Sequence, residues 1–264
     1  MFPVLHLGFI TLPMYGICIF SGLIAASLLG LFMTKLKQYN KWDFVIIATL
    51  TVAFGFIGAK VLYLVISIPP HLYFATLISA FSKDTSGVFS GGFVFYGGYF
   101  GGVLGYYLGT KIAKTRFTDF VDVFCILVPL VHGFGRIGCF CAGCCYGINY
   151  SGLLSVRFAH PFSSAPINTP LFPVQLLEAF LLLFLSLCLF FYDKKNILNR
   201  KRNIRVSLLY FASYSVIRFF LEFLRFDKER GFVFGLSTSQ IISLFVFVLS
   251  LILYFYSNTK KEVA

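Results

Sequence analysis

The sequence predicts an all-α polytopic membrane protein with seven transmembrane helices, and two observations support this. The chain has 264 residues, of which 58% are hydrophobic and only 12% charged, and its mean hydropathy is +0.86. Apolar runs such as "PVQLLEAFLLLFLSLCLFFY" reach about 20 residues, the length that crosses a bilayer. Soluble domains rarely combine these features, so we interpret residues 1–264 as a single integral membrane domain.

Seven apolar stretches define the predicted spans. We place them at 14–34, 44–68, 88–110, 118–135, 172–192, 206–225 and 237–257. The segment before the first span, "MFPVLHLGFITLP", has no lysine or arginine and no convincing cleavage motif. We therefore expect a retained helix there and not a signal peptide.

Basic residues predict the orientation of the helices. They concentrate in the first, third and fifth connections and in the tail, at Lys35, Lys37, Lys41, Lys111, Lys114, Arg116, Lys194, Lys195, Arg200, Lys201, Arg202, Arg205, Lys260 and Lys261. Because loops rich in lysine and arginine stay in the cytoplasm, the N-terminus should lie outside and the C-terminus inside. Most of the net charge of +12 comes from these connections and the tail, so it reflects membrane topology. A basic inner surface attracts anionic membrane lipids, whereas no motif predicts a nucleic-acid partner.

Two outside connections and one glycine-rich span are further features of the pattern. The connection 69–87 has an apolar middle that could lie in the membrane interface. The connection 136–171 should fold back over the outer mouth of the bundle. The third span opens with "SGGFVFYGGYFGGVLGYYLG". Its glycines indicate either close helix packing or a re-entrant, unwound segment, and both interpretations stay open.

Charged residues inside the predicted spans are the strongest indication of a site. They are Lys60, Asp122, Glu178, Arg218 and Glu222. Such residues are costly in a bilayer, so they usually face the interior of the bundle and mark function. Arg218 and Glu222 are four residues apart and can pair on one helix face, with Tyr214 one turn earlier.

The segment "HGFGRIGCFCAGCCYG" concentrates cysteines and one arginine in what the sequence predicts to be a turn-rich stretch. Its cysteines are Cys139, Cys141, Cys144 and Cys145. A four-thiolate metal site usually draws on two separated pairs, and the chain has no second cluster. We therefore expect no metal and no cofactor, and predict that these cysteines pack and shape the segment. The alternative is a non-enzymatic membrane protein that binds a metal or performs redox chemistry through these four residues.

Several motifs together resemble the prolipoprotein diacylglyceryl transferase family of bacteria. They are Gly135-Arg136-Ile137-Gly138 followed by Phe140, Gly143 and Gly147, then "LPMYG", "GGFVFYGG", "FPVQLLEA", "YSVIRFFLEFLR" and "GLSTSQIISL", in the family's order. The resemblance runs from about residue 10 to 250. An arginine-bearing glycine segment combined with Tyr-x3-Arg-x3-Glu-x2-Arg is its most specific part.

The resemblance implies a phosphatidylglycerol–prolipoprotein diacylglyceryl transferase, a multi-pass enzyme of the bacterial cytoplasmic membrane. Such an enzyme moves the diacylglyceryl group of phosphatidylglycerol to the thiol of the lipobox cysteine in a prolipoprotein signal peptide, and so acts in lipoprotein biosynthesis. Guanidinium groups suit this donor because their fork of N–H groups binds phosphate bidentately. A different acceptor for the same lipid donor is a second possibility.

The resemblance also assigns residues. It implies catalytic roles for Arg136, Arg218, Glu222 and Tyr96, and substrate binding by Arg136, Tyr15, Gly138, Gly147, Tyr214 and Gln175. The chain departs from the family pattern at Tyr96 and Phe172, where histidine is usual, and at Cys139, Ala142 and Cys144. A phenol is a poor base at neutral pH, so the departure at Tyr96 places the acceptor chemistry in question.

Overall fold

The computed structural model describes residues 3–7, 10–67, 94–161, 163–198, 205–226, 232–233 and 235–262. Its helices are α1 (Met14–Lys37), α2 (Lys41–Ser67), α3 (Phe95–Ile112), α4 (Val121–Ala142), α5 (Val174–Leu198), α6 (Arg205–Leu221) and α7 (Thr238–Glu262). A 3-10 turn, Glu222–Leu224, extends α6. Two short antiparallel pairs complete the elements: β1 (Val4–Leu7) with β2 (Ile10–Pro13), and β3 (Phe232–Val233) with β4 (Leu236–Ser237).

Six of these helices are long and apolar enough to cross a membrane. They are α1, α2, α4, α5, α7 and α6 with its 3-10 turn. The chain is therefore a polytopic helical membrane protein, as predicted. The remaining predicted span, 88–110, begins in residues 88–93, which lie outside the described part, and continues as the glycine-rich helix α3. The connection 69–87 also lies outside the described residues.

The helices group into two compact units. The first contains Met1–Lys37 and Phe120–Ala264, and the second contains Gln38–Asp119. In the first unit α4 is the central helix, in contact with α1, α5 and α6, while α7 packs against α6. The interpretation of residues 1–264 as one domain stays a prediction.

Polar contacts hold the ends of four helices together at one end of the first unit. Lys37, at the end of α1, forms a salt bridge of 2.9 Å with Asp193 near the end of α5. Asp122, at the start of α4, accepts a hydrogen bond of 3.2 Å from the backbone N–H of Ser207 at the start of α6. The ends of α1 and α5 that carry basic residues therefore lie at the same end of this unit as the starts of α4 and α6.

Helix α4 is longer than the sequence predicted, and this corrects the placement of Arg136. The predicted span ended at residue 135, but the helix continues to Ala142. Glycines are accommodated in this helix because neighbouring helices pack where a side chain would otherwise lie. A Cβ on Gly133, for example, would lie 2.9 Å from Leu183 Cγ. The turn comes only at Gly143, whose φ of +70° suits glycine. Arg136 therefore projects from the helix and not from an outer loop.

In the second unit, glycines on α3 allow its backbone to approach that of α2 closely. A Cβ on Gly101 would overlap the backbone carbonyl oxygen of Phe54, and one on Gly97 would overlap that of Gly58. Phe95 through Gly98 are already helical. Small-residue helix packing, one of the two interpretations left open by the sequence, is therefore confirmed for the described part of this span.

Candidate functional site

A buried ion pair between α4 and α5 forms the centre of the candidate site. Arg136 Nε lies 3.1 Å from Glu178 Oε2, and their side chains are 14% and 1% exposed. Arg136 sits in the last two turns of α4, and Glu178 sits in the second turn of α5. A carboxylate so deeply buried requires a cationic partner, so Glu178 fixes the guanidinium in place.

His132 and Tyr214 line the same space. His132 lies one turn before Arg136, and its Nε2 atom is 3.9 Å from Glu178 Oε1. The ring centroids of His132 and Tyr214 are 5.8 Å apart, and Tyr214 stacks on Tyr210 at 5.9 Å. These rings bring α4 and α6 together around the ion pair.

A second ion pair on α6 confirms the pairing predicted from sequence. Arg218 Nη2 lies 2.8 Å from Glu222 Oε2, and it also donates a hydrogen bond of 3.2 Å to Ser239 Oγ on α7. The Nη1 atom of Arg218 is buried and has no hydrogen-bond partner among the described residues. Arg136 and Arg218 both interact electrostatically with His132 and Tyr214, so the two guanidinium groups share one site.

Arg225 is a third guanidinium at this site. The sequence placed it at the end of the Tyr-x3-Arg-x3-Glu-x2-Arg motif but gave it no role. It interacts electrostatically with His132, Arg218 and Cys145. Its backbone pairs with Gly147, beyond the end of α4. A Cβ on Gly147 would lie 2.9 Å from the Leu224 carbonyl oxygen, so this close pairing requires glycine.

Gln175 has a structural contact in addition to its predicted role in substrate binding. Its side chain is 1% exposed, and its Nε2 atom donates a hydrogen bond of 2.8 Å to the backbone carbonyl of Cys144. Gln175 therefore holds the turn that follows α4. The predicted substrate contact of this residue stays a prediction.

The turn after α4 brings three cysteine sulfurs together. The Sγ atoms of Cys139, Cys144 and Cys145 all lie within 4.8 Å of one another. Hydrogen bonds from Cys139 and Cys144, reinforced by the charges of Arg225 and Arg136, lower the pKa of Cys145 far below its ordinary value. Cys141 is not a member of this cluster and interacts with Cys18 on α1.

Tyr15 and Tyr96, the remaining tyrosines predicted from the resemblance, lie in different units. Tyr15, at the start of α1, packs against Gly138, where a Cβ would lie 3.0 Å from Tyr15 Cδ2. The Tyr15 phenol is within electrostatic range of Arg136 and Cys139. Tyr96 belongs to the second unit, where it lies near the start of α3 with an exposed side chain. Its catalytic role stays a prediction.

Glu178 and His132, like Arg225, are site residues to which sequence reasoning gave no role. Glu178 was visible as a charge inside an apolar span, but a sequence does not indicate which cation meets it. His132 lies four residues before Arg136, and this helical spacing was hidden because the segment was interpreted as turns. If α4 had been predicted to continue past residue 136, the sequence would have placed His132 and Arg136 on one face of this helix.

Comparison with known proteins shows which family this chain resembles over its length. The family model described as prolipoprotein diacylglyceryl transferase matches residues 3–256. The phosphatidylglycerol–prolipoprotein diacylglyceryl transferase 2 of Clostridium perfringens is 36% identical over 246 residues, which cover 93% of this chain and 91% of the relative. A Clostridium tetani protein named phosphatidylglycerol–prolipoprotein diacylglyceryl transferase is 34% identical over 249 residues, 94% of each chain.

A more distant relative covers the same length. The protein of that name from Clostridioides difficile is 27% identical over 251 residues, which are 94% of this chain and 92% of the relative. The family-model match spans both arginine-bearing segments, and each of the three relatives is matched over more than nine-tenths of this chain. The chain therefore belongs to the prolipoprotein diacylglyceryl transferase family.

Proposed function

We propose that this protein transfers the diacylglyceryl group of phosphatidylglycerol to the lipobox cysteine of a prolipoprotein, with Arg136 and Arg218 binding the lipid phosphate. The observation that supports the proposal most strongly is that the two guanidinium groups have more N–H donors than their protein partners use. Each guanidinium has five N–H donors. Among the described residues, Arg136 pairs with Glu178, and Arg218 pairs with Glu222 and Ser239. The remaining donors suit the oxygens of an anionic headgroup.

The chemistry required is displacement at a carbon of the lipid. The acceptor sulfur forms a bond to the terminal glycerol carbon of the diacylglyceryl group while the bond from that carbon to the phosphate oxygen breaks. The electron pair stays on the departing glycerol phosphate, and the thiol proton passes to solvent. Because the departing phosphate gains negative charge, fixed guanidinium groups stabilise the transition state more than the ground state.

Glu178 and Glu222 have positioning roles in this proposal. Each holds one arginine in a fixed direction, and neither has to touch the lipid. Tyr15 and Tyr214 would line the headgroup pocket, and Gly138 and Gly147 would allow the surrounding backbone to approach closely. Tyr96 stands where the family usually has histidine, and its catalytic role is part of the proposal.

The proposal includes seven spans, with the N-terminus outside and the C-terminus in the cytoplasm of a bacterial cytoplasmic membrane. The basic ends of α1 and α5 adjoin one end of the first unit, while Arg136, Arg218 and Glu222 lie toward the other ends of their helices. The site would then face the outer leaflet, where a prolipoprotein presents its lipobox.

Complementation tests the proposed reaction. A bacterial strain depleted of its own transferase should grow and accumulate lipidated prolipoprotein when it expresses this protein. The matched control is an equally abundant Arg136→Ala variant, which should fail. If purified protein consumes phosphatidylglycerol but modifies only other thiols or alcohols, the donor assignment stands and the acceptor is a different molecule.

A further inference from the structure

We propose that Cys139, Cys144 and Cys145 bind one zinc ion whose open fourth position takes the sulfur of the acceptor cysteine. This inference rests on the proposed transferase function and gives that function a means of activating its thiol. It also replaces the sequence-based interpretation of these cysteines as packing residues.

The spacing of the sulfurs suits a thiophilic cation. Zinc–sulfur bonds of about 2.3 Å in tetrahedral geometry separate the sulfurs by roughly 3.8 Å. The three Sγ atoms already lie within 4.8 Å of one another, so closing on a metal needs side-chain shifts on the order of 1 Å. Three side chains from one short segment, residues 139–145, therefore form a near-complete site. The second pair of cysteines that the sequence analysis required is unnecessary when the site keeps an open position.

The backbone of the turn is arranged to bring the sulfurs together. Gly143 ends α4 with φ +70°, and the backbone N–H of Cys144 bonds to the Cys139 carbonyl at 3.1 Å. Cys145 has φ +55°, a left-handed conformation that side chains rarely adopt. Strain of this kind persists where the surroundings impose it and is concentrated at functional sites. Gln175, bonded to the Cys144 carbonyl, is one such constraint.

The number of ligands indicates a reactive site. Structural zinc sites have four protein ligands, whereas catalytic sites have three and leave the fourth position to water or substrate. Cys144 and Cys145 are partly exposed, so a fourth ligand has access to this side of the cluster. Cys141, the remaining cysteine of the segment, is directed to Cys18 and is not a candidate for that position.

The surroundings suit both the charge and the reaction. Three thiolates and one Zn²⁺ carry a single net negative charge, which the nearby guanidinium of Arg225 offsets. Arg136 interacts electrostatically with Cys139 and Cys145, so a thiol on the metal would lie beside the proposed phosphate site. A thiol that coordinates zinc loses its proton outright, which removes the need for a histidine base.

The step balances without an oxidant or reductant. The acceptor thiol releases its proton to water as its sulfur binds zinc. That sulfur then attacks the lipid carbon, the carbon–oxygen bond breaks, and its electron pair leaves with glycerol phosphate. The thioether formed is a neutral, weaker ligand, so water displaces it and the site is restored.

Metal binding to the full-length protein is the first test. Protein in lipid nanodiscs is reduced, incubated with Zn²⁺ or Co²⁺ and desalted. The metal content per chain is then measured by elemental mass spectrometry, and the absorption spectrum of the cobalt-loaded protein is recorded. We expect one ion per chain and a sulfur-to-cobalt charge-transfer band. Cys139→Ser and Cys145→Ser should lose both signals, while Cys141→Ser and Cys188→Ser should retain them. A wild-type protein without metal, or a Cys139–Cys145 disulfide in fresh membranes, overturns the proposal.

The open position is tested with peptides. A lipobox peptide should change the visible spectrum of the cobalt-loaded protein, and the same peptide with serine in place of cysteine should not. An identical response to both peptides would mean that the acceptor sulfur does not bind the metal, and would overturn the proposed role.

Transfer activity separates this inference from the proposed function. A free thiol is only a few per cent ionised at neutral pH, so removal of zinc should slow transfer by roughly tenfold, and added zinc should restore it. Unchanged transfer after metal removal contradicts the zinc role and leaves the transferase standing. Metal-loaded protein that transfers to no peptide contradicts the proposed function itself.

Discussion

Arg136 is the side chain whose geometry and charge can be separated most cleanly by substitution. Lysine keeps the positive charge but not the bidentate fork, so Arg136→Lys should keep only a small fraction of transfer activity. Arg136→Ala should remove a charge-assisted contact worth about 1.5–3 kcal/mol, a loss of about ten- to a hundredfold in rate. Rates of transfer from phosphatidylglycerol, normalised to protein abundance, check both expectations. Equal rates for Arg136→Lys and wild type would contradict a bidentate contact.

Arg218 should be at least as sensitive, for a different reason. Its loss removes the guanidinium beside the buried carboxylate of Glu222, and breaking a buried pair costs roughly 3–5 kcal/mol. We therefore expect Arg218→Ala to lower both abundance and activity. Adding Glu222→Gln should restore abundance but not transfer, as measured by immunoblot and lipid assay. Recovery of transfer in the double variant would assign Arg218 a purely structural role.

At the scale of single residues, the sequence identified the charged side chains of the site but not all of the ion pairs that they form. The Arg218–Glu222 pair follows from helical spacing alone, and the structure confirms it. The pair of Arg136 with Glu178 joins two helices and depends on their packing, which no local pattern encodes. The sulfur cluster likewise depends on a left-handed turn at Cys145 that the sequence does not reveal.

Helix α3 provides a test at the level of a secondary-structure element. A Cβ at Gly101 would overlap the Phe54 carbonyl, whereas one at Gly102 would make ordinary contacts of 3.8 Å with Thr51. Gly101→Ala should therefore separate α2 from α3 and lower the melting temperature in detergent. Gly102→Ala, one residue away with the same change in composition, should leave it unchanged. Equal melting temperatures for both variants would contradict the close packing.

Element boundaries were predicted well where hydropathy changes sharply. The first span was predicted to begin at residue 14, where α1 begins, and the last was predicted to begin at 237, one residue before α7. The end of α7 was predicted less well, at residue 257 instead of Glu262. Helix α4 was predicted too short because the glycines at 133, 135 and 138 are typical of turns. They are tolerated because neighbouring helices occupy the space that side chains would fill, and this information is absent from the sequence.

Topology is the prediction that belongs to the whole molecule. Reporter fusions at residues 38, 113 and 198 should all report the cytoplasm, since the basic connections lie there. A fusion at residue 151, in the connection after α4, is the control and should report the outside. An outside signal at 38, 113 or 198 would contradict the orientation and with it the proposed access of the site to the outer leaflet.

The central claim is that Arg136 and Arg218 together bind the phosphate of the lipid donor. The most direct measurement is transfer of radiolabelled diacylglyceryl groups from phosphatidylglycerol to a lipobox peptide, with wild-type protein and the Arg136→Ala, Arg218→Ala double variant at matched abundance. We expect wild-type protein to label the peptide and the double variant to leave it at background. Wild-type labelling by the double variant would contradict the claim, because the phosphate would then be bound elsewhere.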